Sequence, residues 1–157
     1  MSPQEVKAKG RALQNAVARD LARVTGLTYG RPDQDECDLK GRLMGTPGSD
    51  IVRVTEAARK AVPWFIECKA RRNWTFDARL LGLGSSAKVT LYTWLAATER
   101  SRSKFHGKAT TLREEYGIGY SLLVVSTGRL PQLAVCYGGS VPPSSLYLAG
   151  QVGGRET

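Results

Sequence analysis

Between residues 3 and 25, apolar side chains return at steps of three, four and seven. Val6, Leu13, Val17, Leu21 and Val24 fall on one face, the period of an amphipathic helix. Ser2-Pro3-Gln4-Glu5 ahead of them matches a capping box with proline in the first turn, and Gly26 supplies a stop signal. The period is lost from Tyr29 to Ser49. There Arg31-Pro32-Asp33-Gln34-Asp35-Glu36 is polar and Gly45-Thr46-Pro47-Gly48 is turn chemistry, so an irregular segment is expected. Apolar runs return at Asp50–Thr55 and Val62–Lys69, which read as strands, joined by a connector over Glu56–Ala61 with helical-turn character. Pro63 sits near the start of the second strand, where a missing N–H is tolerated. A second helix is predicted from about Ser86 to Ser101, with Leu91, Trp94, Leu95 and Thr98 on one face and a basic, exposed end at Arg100–Lys104. Ser121–Ser126 is a short buried strand, and Leu133–Tyr137 returns beside it as a hairpin. The tail after Gly138 is rich in Gly, Pro and Ser. Helix, strands, helix, strands predict one α/β domain over residues 1–150, built on a mixed sheet, with a flexible tail over 151–157.

Composition narrows the function. A chain of 157 residues is one domain with room for a real core. It contains no apolar run long enough to span a membrane, and Met1–Glu5 has no signal-peptide character. Cys37, Cys68 and Cys136 are widely spaced, which predicts a reducing, cytoplasmic setting and no zinc site. The formal net charge is +9, and it is concentrated. Arg53–Arg113 holds 13 Lys or Arg against 4 Asp or Glu, while the remainder has 10 of each. Such a region suits a polyanionic partner, DNA or RNA.

The candidate chemistry lies where that region begins. Asp50 opens one predicted strand, and Glu67-Cys68-Lys69 closes the next. Alternation along a strand puts Glu67 and Lys69 on the same side, and a hairpin brings Asp50 up to them. Two carboxylates beside an ammonium group can hold Mg²⁺, with Mn²⁺ as a substitute, next to a phosphodiester. Asp50 and Glu67 are the expected ligands, joined by the backbone carbonyl of Cys68, whose side chain faces away. Lys69 either lowers the pKa of the attacking water or stabilises charge on the phosphate, and the sequence leaves both roles open. Arg71, Arg72 and Lys88 are expected phosphate contacts, and Thr46 and Ser49, in the Gly-rich loop before Asp50, are candidate contacts to the scissile strand. His106, the single histidine, is expected to be exposed. Trp64, Trp74 and Trp94 are expected core or interface aromatics.

The pattern Asp50…Glu67-Cys68-Lys69 resembles the PD-(D/E)xK nuclease signature. Within that superfamily it is similar to the Holliday junction resolvases of archaeal and phage type. Lys9-Gly10-Arg11-Ala12-Leu13-Gln14 resembles their first-helix motif, and the likeness covers roughly residues 7–72. It implies a restriction-endonuclease-like mixed central β-sheet flanked by helices, and a homodimer that makes paired nicks in a four-way DNA junction with Mg²⁺ or Mn²⁺. For a phage-encoded protein it implies the host cytoplasm. It also adds Gln14 to the catalytic set. The chain departs from the motif in three places. Gln14 stands where the motif has Glu, Ser49 rather than proline precedes Asp50, and Glu67 follows Asp50 at an interval of 17 positions. Glu5 or an acid of the Asp33–Asp38 loop is a candidate replacement for the missing charge. The hairpin near Val124 and Val135 is a candidate dimer interface, matching the two-fold symmetry of a junction. Two alternatives remain open: a nuclease for ordinary or site-specific duplex DNA, and a catalytically inactive module that only binds DNA.

Overall fold

The computed structural model describes residues 2–70, 91–105, 113–126 and 132–136. The chain runs α1 (Pro3–Thr25), β1 (Tyr29–Gly30), β2 (Leu39–Gly41), β3 (Ile51–Arg53), α2 (Glu56–Ala61), β4 (Trp64–Ala70), α3 (Leu91–Phe105), a 3₁₀ turn (Arg113–Glu115), β5 (Tyr120–Ser126) and β6 (Leu133–Val135). Arg71, Arg72, Trp74, Lys88, His106 and the tail beyond 136 lie outside the described residues.

Helix α1 begins at the expected capping box. Ser2 Oγ accepts from Glu5 N–H at 3.3 Å, and Glu5 Oε2 accepts from Ser2 N–H at 2.6 Å. It ends at Gly26, whose φ of 71° is left-handed and available to glycine at little cost. The buried face is not quite the predicted one. Leu13, Gln14, Val17, Ala18 and Ala22 are buried, while Val6 is 45% exposed. Full burial along α1 begins only at Leu13. Helix α2 forms on the predicted connector. Thr55 caps it by accepting from Ala58 N–H at 3.2 Å, and Val62-Pro63 ends it because a residue before proline avoids the helical region.

The expected single central sheet is instead two three-stranded mixed sheets among the described residues, ordered β1-β2-β3 and β4-β5-β6. In the first, β1 is parallel to β2 and β2 antiparallel to β3; in the second, β4 is parallel to β5 and β5 antiparallel to β6. Parallel pairing of β4 with β5 needs a long crossover, and α3 lies within it. The predicted hairpin of β5 and β6 is present. The segment expected to be irregular contains β1 and β2, which are too short for their side chains to show a period. The predicted second helix is α3, but it continues to Phe105. Its basic end is therefore helical, and Arg102 is paired to Glu99 rather than free.

The second sheet is covered on both faces. Trp64, Ile66, Cys68 and Val124 pack with Leu13, Val17 and Ala22 of α1. Leu123 and Val125 pack with Leu91 and Leu95 of α3, and Phe65 stacks on Phe105 at 5.8 Å. Each fully buried side chain of this size stabilises the fold by roughly 1.5–3 kcal/mol. Val124 is 5% exposed inside this core, so it is unavailable as a dimer contact. No helix among the described residues is long and apolar enough to cross a membrane.

Candidate active site

Ser49 and Asp50, at the start of β3, are bonded to the middle of β4. Asp50 N–H donates to the Ile66 carbonyl at 2.8 Å. Ser49 Oγ donates to that same carbonyl at 3.2 Å and accepts from Ile66 N–H at 2.9 Å. These bonds staple the start of β3 to the middle of β4. Asp50 then reaches along the β4 edge, where its Oδ2 accepts from Cys68 N–H at 2.7 Å.

A strand residue points its N–H and C=O to the same edge. The Cys68 carbonyl therefore faces the edge occupied by the Asp50 carboxylate, while the Cys68 side chain is in the α1 core. Glu67 and Lys69 flank Cys68 and share the other face of β4. Lys69 Nζ donates to Glu67 Oε1 at 2.6 Å, and both side chains remain about one-third open to solvent, at 31% and 26%. Burial, and next the Glu67 charge, push the Asp50 carboxyl up from 3.8 to about 6. The Cys68 N–H, Lys69 and Arg42 pull the other way without cancelling the rise. The two acids thus repel each other, with the Lys69 ammonium group beside them.

Gln14 lies against β2. A Cβ added to Gly41 would come within 3.5 Å of Gln14 Cβ, and Gly41 pairs with Ile51, the residue after Asp50. Gln14 is 8% exposed, and its Oε1 is buried with no hydrogen-bond partner among the described residues. The candidate substitutes for its missing charge are elsewhere. Glu5 is used in the α1 cap, and Asp38 accepts from Thr28 N–H, Thr28 Oγ1 and Thr55 Oγ1 at the opposite end of β2 and β3.

Ser49 requires a correction. It is 0% exposed and its hydroxyl is committed to Ile66, so it cannot contact a DNA strand. Thr46 is exposed, with its hydroxyl on the Leu43 carbonyl at 2.7 Å. The basic stretch also needs amending at its first member. Arg53 is 1% exposed, and its guanidinium donates to the carbonyls of Arg59, Val62, Glu114 and Tyr116 at 2.8–3.1 Å. Burial holds it down to about 10, and it serves the interior rather than a DNA surface.

The sequence reading missed the ion pair beneath Asp50. Arg42 Nε donates to the Ser49 carbonyl, and its Nη2 donates to Glu115 Oε1. Glu115 Oε1 also accepts from Ser49 N–H at 2.9 Å. Both side chains are buried, at 7% and 0% exposure. Burial pushes the Glu115 carboxyl up, against the pull of Arg42, the Ser49 N–H and Arg53. Gly48 rests directly on this pair. At φ 120° it occupies a region closed to most side chains, and an added Cβ would lie 2.6 Å from both the guanidinium carbon and the Glu115 carboxylate. One sequence signal was there to be read: Arg53 interrupts the apolar run Ile51-Val52-Arg53-Val54. The Glu115 partnership crosses more than 70 residues of chain and left no local mark.

The chain matches no family model, no curated protein and no solved structure.

Proposed function

We propose that this protein is a metal-dependent DNA endonuclease of PD-(D/E)xK type with a restriction-endonuclease-like core. The reading extends to resolution of four-way junctions by a homodimer. The observation that carries it is the Asp50 carboxylate seated on Cys68 N–H beside the Glu67–Lys69 pair.

The donor set suits Mg²⁺ or Mn²⁺. Asp50, Glu67 and the Cys68 carbonyl offer hard oxygens, and a bound cation would offset the burial and the Glu67 charge that raise Asp50. Gln14, packed against Gly41 of β2, carries an orphaned Oε1 that is a further neutral acceptor. When bound, the metal supplies Lewis-acid activation of water and neutralises charge at phosphorus. The chain's own residues do the rest. The Ser49–Ile66 staple and the Arg42–Glu115 pair hold Asp50 in place. Lys69 offers an ammonium group to the phosphate oxygens or to the attacking water, and Glu67 orients that ammonium group. The basic stretch, with Arg71, Arg72 and Lys88, supplies phosphate contacts and charge attraction.

A second reading has its own support. Among the described residues, no three His, Cys, Asp or Glu side chains gather as a metal-ligand group, and Gln14 adds no charge. That favours a module that binds DNA without cutting it. Incubation with an immobile four-way junction and a linear duplex of the same sequence, with Mg²⁺ omitted and restored, separates the readings. A resolvase makes symmetric nicks in the junction only with metal. A duplex nuclease cuts both substrates, and a binding module shifts DNA and cuts neither.

A further inference from the structure

The loop that leads into Asp50 presents apolar side chains to water. Arg42 N–H donates to the Asp50 carbonyl at 2.8 Å, so residues 43–49 form a closed loop based on the candidate site itself. At its tip, Thr46 N–H donates to the Leu43 carbonyl at 3.2 Å. Gly45 has φ 85°, and no non-glycine residue described has positive φ, so Leu43–Thr46 is a type II turn with Met44 at its leading corner. Leu43 and Met44 are 54% and 45% exposed. Tyr116, next to Glu115, is 75% exposed. Three of the four exposed large apolar side chains among the described residues therefore belong to segments held by one buried ion pair, Arg42–Glu115. The base of the loop is stiff: Gly48 lies on that pair, and Ser49 is tied to Ile66 and Glu115. Apolar groups fixed in water on a rigid mount mark a contact surface.

We propose that Leu43 and Met44, with Tyr116 on the segment that Glu115 ties to the base of their loop, form a wedge that packs on unstacked bases next to the phosphate bound at Asp50, Glu67 and Lys69. This inference rests on the nuclease reading and narrows its substrate class to DNA with an interrupted base stack. Apolar wedges and aromatic faces gain contact where bases are already parted, whereas a continuous duplex has to be opened first. The surface adjoins the cleavage site through the Arg42–Asp50 bond, which favours nucleic acid over a second copy of this chain as its occupant.

Asp50→Asn keeps bound DNA intact for the test. It is mixed with a four-way junction carrying 2-aminopurine at the branch, and with a linear duplex carrying the same base. The wedge predicts a several-fold rise in fluorescence on the junction and little on the duplex. Adding Leu43→Ser and Met44→Ser abolishes the rise and weakens junction binding about tenfold. The thermal midpoint stays near that of Asp50→Asn, because both side chains are exposed. Tyr116→Ser, made separately, reduces the rise in the same direction. A rise that survives all three serine substitutions overturns the wedge. So does a DNA-free dimer that becomes monomeric on sedimentation when Leu43 and Met44 are replaced, since the patch then belongs to a second copy. Plasmid nicking by the unsubstituted protein is scored separately. Cutting without the fluorescence signal removes the wedge alone, and no cutting with any metal removes the nuclease reading.

Discussion

Asp50→Asn is expected to stabilise the metal-free protein while abolishing cleavage. The Asp50 carboxyl ionises near 6 in the fold, against 3.8 for an ordinary aspartate. The folded state therefore holds the proton more tightly than the unfolded chain, and the ionised group opposes folding above pH 6. The penalty fades as pH falls through 6 toward 3.8. At pH 7.5 it amounts to about 3 kcal/mol by linkage, and solvent at the partly open edge of β4 reduces that to roughly 1–3 kcal/mol. Asparagine keeps an oxygen for Cys68 N–H and carries no charge to repel Glu67. For a domain of this length, each kcal/mol moves the thermal midpoint by about 2–4 °C, so the variant gains roughly 2–12 °C. The assay is thermal unfolding in EDTA at pH 7.5 and again at pH 4.5, where the gap shrinks to about one third. Mg²⁺ raises the midpoint of the unsubstituted protein and barely moves that of the variant. A variant that melts below the parent in EDTA, or a gap independent of pH, would refute the reasoning.

Other outcomes follow from the same geometry. Arg42→Met leaves the buried Glu115 carboxylate unpaired and costs about 3–5 kcal/mol in denaturant unfolding at pH 8. The loss shrinks as pH falls, because burial already displaces the Glu115 carboxyl upward and removal of Arg42 takes away the largest pull against that rise. Gly48→Ala, forced to φ 120° against the same pair, costs roughly 1–3 kcal/mol by the same assay. Gln14→Glu adds a third carboxylate beside the Asp50 strand and should lower the Mn²⁺ concentration for half-maximal binding, read by electron paramagnetic resonance, about tenfold; an unchanged midpoint removes Gln14 from the site. DNA affinity should fall steeply between 50 and 200 mM salt, about 10³-fold for six phosphate contacts, and a flat response counts against the basic stretch as the contact surface.

The sequence disclosed some of this architecture and withheld the rest for physical reasons. Long elements with a period or a cap were readable: α1 through its capping box, and β4 and β5 through apolar runs; α2, six residues long, was expected only as a connector with helical-turn character. The hairpin expected to bring Asp50 to Glu67 and Lys69 is absent: β3 and β4 lie in separate sheets joined through α2, and Asp50 reaches β4 by the Ser49 and Asp50 bonds to Ile66 and Cys68. Strands β1 and β2, with two and three residues, are too short to show alternation. The division into two sheets depends on how far β3 follows β4, and the staple ends after Asp50. Arg42 and Glu115 look like surface charge along the chain, and only their partnership across the fold makes burial tolerable. Ser49 looked like a substrate contact because it precedes Asp50, yet its hydroxyl is what holds Asp50 in place.

Nicking of supercoiled plasmid by the unsubstituted protein, Asp50→Asn and Lys69→Ala, each with EDTA, Mg²⁺ or Mn²⁺, tests the central claim most directly. The account predicts nicking by the unsubstituted protein only with metal, slowed at least about a hundredfold by either substitution while DNA still binds. A protein that shifts the plasmid but leaves it closed under every condition, or an Asp50→Asn variant that cuts at the parent rate, would contradict it.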